Sequence, residues 1–367
     1  MPRPFSVYLD LVRFIAACLV YLYHSNQRWL VQPLLPAHHY GHTAVIVFFV
    51  LSGYVIAYVT ATKENDWRTY AASRLSRIYS VAVPAVILTL ALDGAGRLID
   101  PAPYGYPYDW IPLRVATSWL MLNEAWFVSI TSFSNVPYWS ICYESWYYVA
   151  FGALVFLPRR RAFAVIGALL LLLGPKVAML APIWAMGVAL YRSKRLAAIS
   201  ERLGWALVAG SVAGIACYLA LDVEAQAGAW FKRVVGDRWY EQFTFSRFFA
   251  GDYLLGLLIM LHFVGVRRIA DRIAPLMRAI EPPVKRAASY TFTLYLLHQP
   301  LFLFWGVVVH GDNKGYGSWA LTTVLMAVSV VAIGALTETR RRGLTQWIRA
   351  ALRRIGADRA GLTARRA

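Results

Sequence analysis

The sequence is poor in charge: only 15% of its 367 residues are Asp, Glu, Lys or Arg, and just 19 are acidic. Soluble domains carry roughly a quarter charged residues, so this balance excludes an ordinary water-soluble enzyme or scaffold. Cysteine is scarce too, and Cys18, Cys142 and Cys217 each fall in an apolar stretch. A disulfide-stapled secreted framework is thereby excluded, and the three are expected as small core residues. Internal repeats, low-complexity tracts and a second soluble domain are missing as well.

What the chain has instead is hydrophobic sequence, 59% of it, in long runs. A spanning helix needs about 20 mostly apolar residues. Ten windows answer to that description, at roughly 6–25, 42–61, 79–93, 138–157, 162–175, 177–191, 204–221, 248–266, 288–309 and 318–338. The expected fold is all-α, a polytopic membrane protein with about ten transmembrane helices. The fifth and sixth windows are both short.

A net charge of +18 might suggest nucleic acid, but its placement speaks for topology. Of 37 Lys and Arg, 27 fall in segments that an inside start assigns to the cytoplasm, nine in outer loops or helix ends, and Arg13 lies inside the first window. That is the positive-inside bias, with both termini cytoplasmic and the basic loops against anionic lipid headgroups. Residues 1–340 are expected to form the membrane domain and 341–367 a basic cytoplasmic tail. Ile15-Ala16-Ala17-Cys18 is superficially a lipoprotein cleavage box, yet Asp10 and Arg13 interrupt the apolar core a signal peptide needs, so the first helix is expected to be retained. Two outer segments, about 94–137 and 222–247, are rich in aromatics such as Tyr104, Tyr106, Tyr108, Trp110, Trp230, Trp239 and Tyr240. They suit an interfacial cap or a platform for sugar rings.

Ionisable residues inside apolar windows are expensive to hold there and mark candidate sites. Arg13 and His24 are eleven steps apart, which returns a helix to within about 20° and rises about 16 Å, so they share a face at different depths. Asp10 lies one turn before Arg13 and can pair with it. Ser52 and Gly53 sit in mid-window, where small residues admit another backbone or a ligand. Arg74 and Arg77, three apart, face one way and can grip phosphates or anchor topology. Glu144 lies about 9 Å below the outer start of its helix with no cation nearby in sequence, which makes His24 on another helix its expected partner. His298 falls in mid-window one turn from Tyr295, with Pro300 loosening the helix, and suits either structural glue or function. His38, His39 and His42 lack the acids or cysteines of a metal-ligand pattern, and no metal is expected.

In order along the chain, Arg13-x10-His24, Phe48-Phe49-Val50-Leu51-Ser52-Gly53, Arg74-x-x-Arg77, Trp139-Ser140 with Glu144, and Ser289-Tyr290 followed by Tyr295-Leu296-x-His298-x-Pro300 resemble the motifs of the acyltransferase-3 family of integral membrane acyltransferases. The resemblance covers nearly the whole chain. It implies a donor acyl-CoA, usually acetyl-CoA, presented from the cytoplasm, and an acceptor hydroxyl on an extracytoplasmic carbohydrate such as lipopolysaccharide or exopolysaccharide at a bacterial cytoplasmic membrane. On that reading Arg13, Arg74 and Arg77 clamp the phosphates of CoA, and the pantetheine arm runs past Ser52 and Gly53. His24 then serves as general base or acyl carrier, oriented by Glu144, with Tyr295, His298, Trp139 or Ser140 at the oxyanion or the substrate. Two features depart from the family pattern. Ile46 stands where an acid often precedes the double Phe, and no hydrolase-like domain is expected after the tenth window. The alternatives are an acceptor that is lipid-linked or a small secreted molecule, and a transporter using an intramembrane His/Glu relay, which predicts no acyl transfer and tolerance of change at Arg74 and Arg77.

Overall fold

Where water is excluded, backbone polar groups must bond within their own segment, and the chain meets this with helices. A computed structural model describes residues 1–29, 40–309 and 315–364; His38 and His39 lie outside the described residues. Among those described there is no strand. The helices are α1 (Arg3–Trp29), α2 (Tyr40–Lys63), α3 (Trp67–Ile99), α4 (Ile111–Trp119), α5 (Trp139–Phe156), α6 (Arg159–Leu173), α7 (Pro175–Arg192), α8 (Lys194–Ala197), α9 (Glu201–Ala220), α10 (Val223–Val235), α11 (Asp237–Gln242), α12 (Phe249–Arg268), α13 (Ala274–Ala288), α14 (Thr291–Val309), α15 (Tyr316–Leu336) and α16 (Arg341–Ala364).

Each of the ten apolar windows coincides with a helix. Seven of these, α1, α2, α3, α9, α12, α14 and α15, are long and apolar enough to cross a membrane by length and composition. The other three are shorter, with 18 residues in α5 and α7 and 15 in α6. At 1.5 Å per residue α6 reaches only about 22 Å, less than a hydrocarbon core. It turns into α7 at Gly174, whose φ of 74° lies in the left-handed region, followed by Pro175 at the first helical position. Trp126 seats on that turn, its backbone N–H donating to the Leu173 carbonyl at 2.6 Å and its indole N–H to the Leu171 carbonyl at 2.8 Å.

Helices α2 and α7 pack backbone to backbone. A Cβ on Gly53 would meet the Trp184 carbonyl oxygen at 2.0 Å, and one on Gly187 would meet the Val50 carbonyl at the same distance. Gly53 therefore belongs to helix packing, and the expectation that it lines the path of a pantetheine arm is corrected. Ser52, its neighbour, lines a cavity instead. Of the cysteines, Cys142 is in the core while Cys217 is exposed on α9.

Pro300 interrupts α14 with a defined compensation. Its missing N–H leaves the Leu296 carbonyl without its helical donor. The Asn135 side-chain amide donates to that oxygen at 2.6 Å, from a segment that precedes α5. The same segment is tied to α3, where the Asp93 carboxylate accepts from the Ser134 backbone N–H at 2.9 Å and hydroxyl at 2.6 Å. Tyr104 and Tyr108 fold back on the C-terminal end of α3, with the Arg97 guanidinium over both rings at 5.3 and 5.0 Å. These tyrosines form a cap. The segment expected as a basic tail is helical, and Thr345 of α16 donates to Ser76 of α3 at 2.8 Å.

Asn135→Ala should lower stability by about 1–3 kcal/mol by orphaning the Leu296 carbonyl. In a Pro300→Ala background the helix regains its own donor, so the same change should be close to neutral in a thermal-unfolding cycle in detergent. Equal losses in both backgrounds would contradict this account of the proline.

Candidate active site

Two cavities lie one above the other along the helices. The first, about 410 Å³, is basic and is lined by Arg13, Arg74 and Arg77 together with Ser52, Glu144 and Tyr148. Arg13 pairs with Asp10 one turn earlier at 3.2 Å, as helical spacing dictates. Arg74 is buried and bonded to the Glu64 carboxylate, which also accepts from the Thr60 hydroxyl at 3.0 Å. The Arg74 guanidinium also lies over the Tyr70 ring at 5.3 Å and the Tyr148 ring at 5.9 Å. Glu144 accepts from the Ser52 hydroxyl and, at 2.5 Å, from the Tyr148 hydroxyl. The Trp184 indole donates in turn to Ser52 at 3.2 Å, so a relay of donors fixes the carboxylate. Its charge is opposed by Arg13 and Arg77 across the cavity.

The second cavity, about 450 Å³, holds His24, His42, Trp139, Glu224, Glu241 and Arg247 among its lining. His24 lies beside His298, ring centroids 5.2 Å apart. His298 is fully buried, and its Nδ1 faces the carbonyls of Leu294 at 3.1 Å and Tyr295 at 2.9 Å. Two carbonyls can only accept, so Nδ1 carries the proton and Nε2 is left as a lone pair, with no protein partner among the described residues. Trp139 stacks on Phe245 at 4.3 Å with a 3° interplanar angle, giving the cavity a flat aromatic wall. His42 bonds through Nε2 to both oxygens of the wholly buried Asp252, at 2.9 and 3.1 Å.

Tyr295 lines both cavities. Its hydroxyl is hydrogen-bonded to Ser140 at 2.6 Å and to the Pro137 carbonyl at 3.2 Å, so these residues form the partition. The sequence matches the family described as an acyltransferase domain over residues 6–338. The chain belongs to the acyltransferase-3 family. It is a multi-pass membrane acyltransferase. No curated protein and no solved structure matches it.

Within this acyltransferase the expected pairing of Glu144 with His24 is not formed. Trp139, the first residue of α5, already borders the histidine cavity, and five further residues carry Glu144 about 7.5 Å along the helix into the basic one. Glu144 therefore engages Ser52 and Tyr148, and His298 is the neighbour of His24. The sequence reading also passed over Asp252, Glu224 and Glu64. Asp252 carries the signal that singled out Glu144, an acid inside an apolar window. Glu224 and Arg247 lie within the aromatic segment at 222–247, whose tryptophans drew attention instead. Nothing in the sequence ties Glu64 to Arg74.

The segments that wall the histidine cavity are held by a buried ion pair. The Lys176 ammonium donates to Glu124 at 2.7 Å and to the Val128 carbonyl at 2.8 Å, while Ser129 and Thr244, both lining the cavity, donate to the same carboxylate at 2.5 and 3.2 Å. Burial pushes the Glu124 carboxyl above its ordinary range, against the pull of Lys176. Lys176→Ala should destabilise the protein by about 3–5 kcal/mol, because it strands a buried carboxylate. Adding Glu124→Ala should recover part of the loss in the thermal midpoint. An unchanged midpoint for Lys176→Ala would contradict a structural role for the pair.

Proposed function

We propose that this acyltransferase takes an acyl group, acetyl in the first instance, from cytoplasmic acyl-CoA and delivers it to a hydroxyl of an extracytoplasmic carbohydrate. The observation that carries the reading is the pair of cavities meeting at Tyr295, one lined by guanidinium groups and the other by histidines, acids and an aromatic wall. Guanidinium forks suit the phosphates of CoA. The bias of Lys and Arg towards the same side supports a cytoplasmic basic cavity, in the inner membrane of a bacterium. On the other side Trp139 and Phe245 suit the face of a sugar ring, and Glu224 and Glu241 suit its hydroxyls; a lipopolysaccharide or exopolysaccharide unit has this chemistry.

In the proposed reaction the thioester reaches the partition at Tyr295 and Ser140. His24 takes the proton of the acceptor hydroxyl, the oxygen bonds to the carbonyl carbon, the carbon–sulfur bond breaks, and the departing CoA thiolate takes that proton from the His24 imidazolium, which returns the base to its neutral form. The lone pair on His298 Nε2, 5.2 Å away between ring centroids, is placed to take a hydrogen bond from the His24 ring and orient it once substrate draws the two rings together. The hydroxyls of Tyr295 and Ser140 can meet the developing oxyanion. A route through an acyl group carried on His24 uses the same neighbours. Glu144 acts at a distance from this step: it counterbalances Arg13 and Arg77 and holds Ser52 and Tyr148 along the path of the donor. No step calls for a metal.

The test is transfer of labelled acetyl from acetyl-CoA into envelope glycans in membrane vesicles. Arg77→Ala should raise KM for acetyl-CoA by about tenfold or more with kcat largely kept, as loss of a charge-assisted phosphate contact predicts. His24→Ala should lower kcat by about 100-fold to 10,000-fold with little effect on KM. The same rise in KM for both variants would sink this division of roles, and label in no glycan with folded wild-type protein would sink the acceptor class.

A further inference from the structure

The arginines around the basic cavity come from two parts of the chain. Arg13, Arg74 and Arg77 lie within residues 6–338, which match the family, whereas Arg341 and Arg342 lie beyond them in the first turn of α16. Two ties bring that turn to the cavity. Glu338 accepts from the Thr293 backbone N–H and hydroxyl, each at 3.0 Å, which fastens the chain just after α15 to the start of α14. The Thr345 hydroxyl donates to Ser76, the neighbour of Arg77, at 2.8 Å.

Charge and exposure are graded along the cavity. Arg74 is buried, Arg13 and Arg77 are half-buried, and Arg341 and Arg342 are exposed at the mouth. The inner Arg13 and Arg74 have carboxylates of their own in Asp10 and Glu64. At the mouth Arg341 lies in the field of three other guanidinium groups, those of Arg74, Arg77 and Arg342, against the single carboxylate of Glu338. Like charges gathered around a cavity repel, and a polyanion entering among them removes that penalty. An acyl-CoA whose thioester lies at the depth of Ser52 and Tyr295 has its diphosphate further out and its ribose 3′-phosphate outermost.

We propose that Arg341 and Arg342 bind the 3′-phosphate of the acyl-CoA donor, which makes α16 part of the donor site. The proposal rests on the reading of the basic cavity as the CoA site and adds which end of the nucleotide meets which arginines. It predicts that the enzyme distinguishes CoA from dephospho-CoA, the same molecule without the 3′-phosphate, and that this discrimination belongs to α16.

The experiment measures binding of CoA and of dephospho-CoA to the purified full-length protein in detergent by calorimetry, with the thermal midpoint recorded for each variant. The wild type should prefer CoA by about tenfold or more, the size expected of charge-assisted phosphate contacts. The Arg341→Ala/Arg342→Ala double variant should bind dephospho-CoA as the wild type does and lose the preference. Arg341→Lys/Arg342→Lys should keep part of it, since the charge remains and the fork is lost. A double alanine variant with a wild-type midpoint and an intact preference for CoA overturns the proposal while leaving the donor site standing. Equal weakening of both nucleotides also overturns it and assigns the two arginines to the diphosphate. A wild type that binds neither nucleotide overturns the donor reading itself, and this inference falls with it.

Discussion

A charge held among apolar helices must be neutralised by a neighbour, and the polar interior of this protein is organised around that requirement. Arg13 has Asp10, Arg74 has Glu64, Lys176 has Glu124 and His42 has Asp252. The last two join segments far apart in sequence, so compensation of charge doubles as a set of tertiary ties. The same logic extends to neutral groups. Asn135 supplies the donor that Pro300 withholds from Leu296, and Ser134 supplies two donors to Asp93. Among the places where compensation is less complete are the arginines around the mouth of the basic cavity and the lone pair of His298. Incomplete satisfaction of buried or crowded polar groups is where ligands and chemistry are to be sought.

The stacking of a basic and a histidine-lined cavity gives the proposed reaction its form. A nucleotide is too polar to enter an apolar bundle, but the end of a pantetheine arm is slender, so an acyl group can reach a partition that its carrier does not pass. Tyr295 and Ser140 make such a partition, with hydroxyls committed to each other and to the Pro137 carbonyl. That wall is held by the segment preceding α5, pinned at Asp93 and at Leu296. Tyr295, which borders both cavities, is thus set by a loop that precedes α5.

Much of the fold was legible in the sequence because the apolar windows and the placement of Lys and Arg are one-dimensional signals. The short pair of α6 and α7 was the least clearly marked, since neither window has the length of a span. Depth along a single helix was legible too, which is why Arg13 and His24 fall at different levels as their spacing requires. Depth between helices was not. It depends on where each helix starts relative to its neighbours, and the irregular segment before α5 sets Glu144 in the basic cavity rather than beside His24. Gly53 shows a related difficulty, since a small residue serves a ligand and a neighbouring backbone equally well until the α7 carbonyl is seen against it. Partners such as Glu64 for Arg74, or Asp252 for His42, are matters of tertiary packing that no local pattern encodes.

The central claim is that donor and acceptor approach from opposite faces and meet at one partition. The most direct measurement compares sealed vesicles of opposite orientation, each carrying the glycan acceptor, with labelled acetyl-CoA supplied only outside. Inverted vesicles, whose basic face is outermost, should incorporate label, and right-side-out vesicles should do so only after they are made permeable. Equal incorporation by both sealed preparations, or incorporation by right-side-out vesicles alone, would contradict the account.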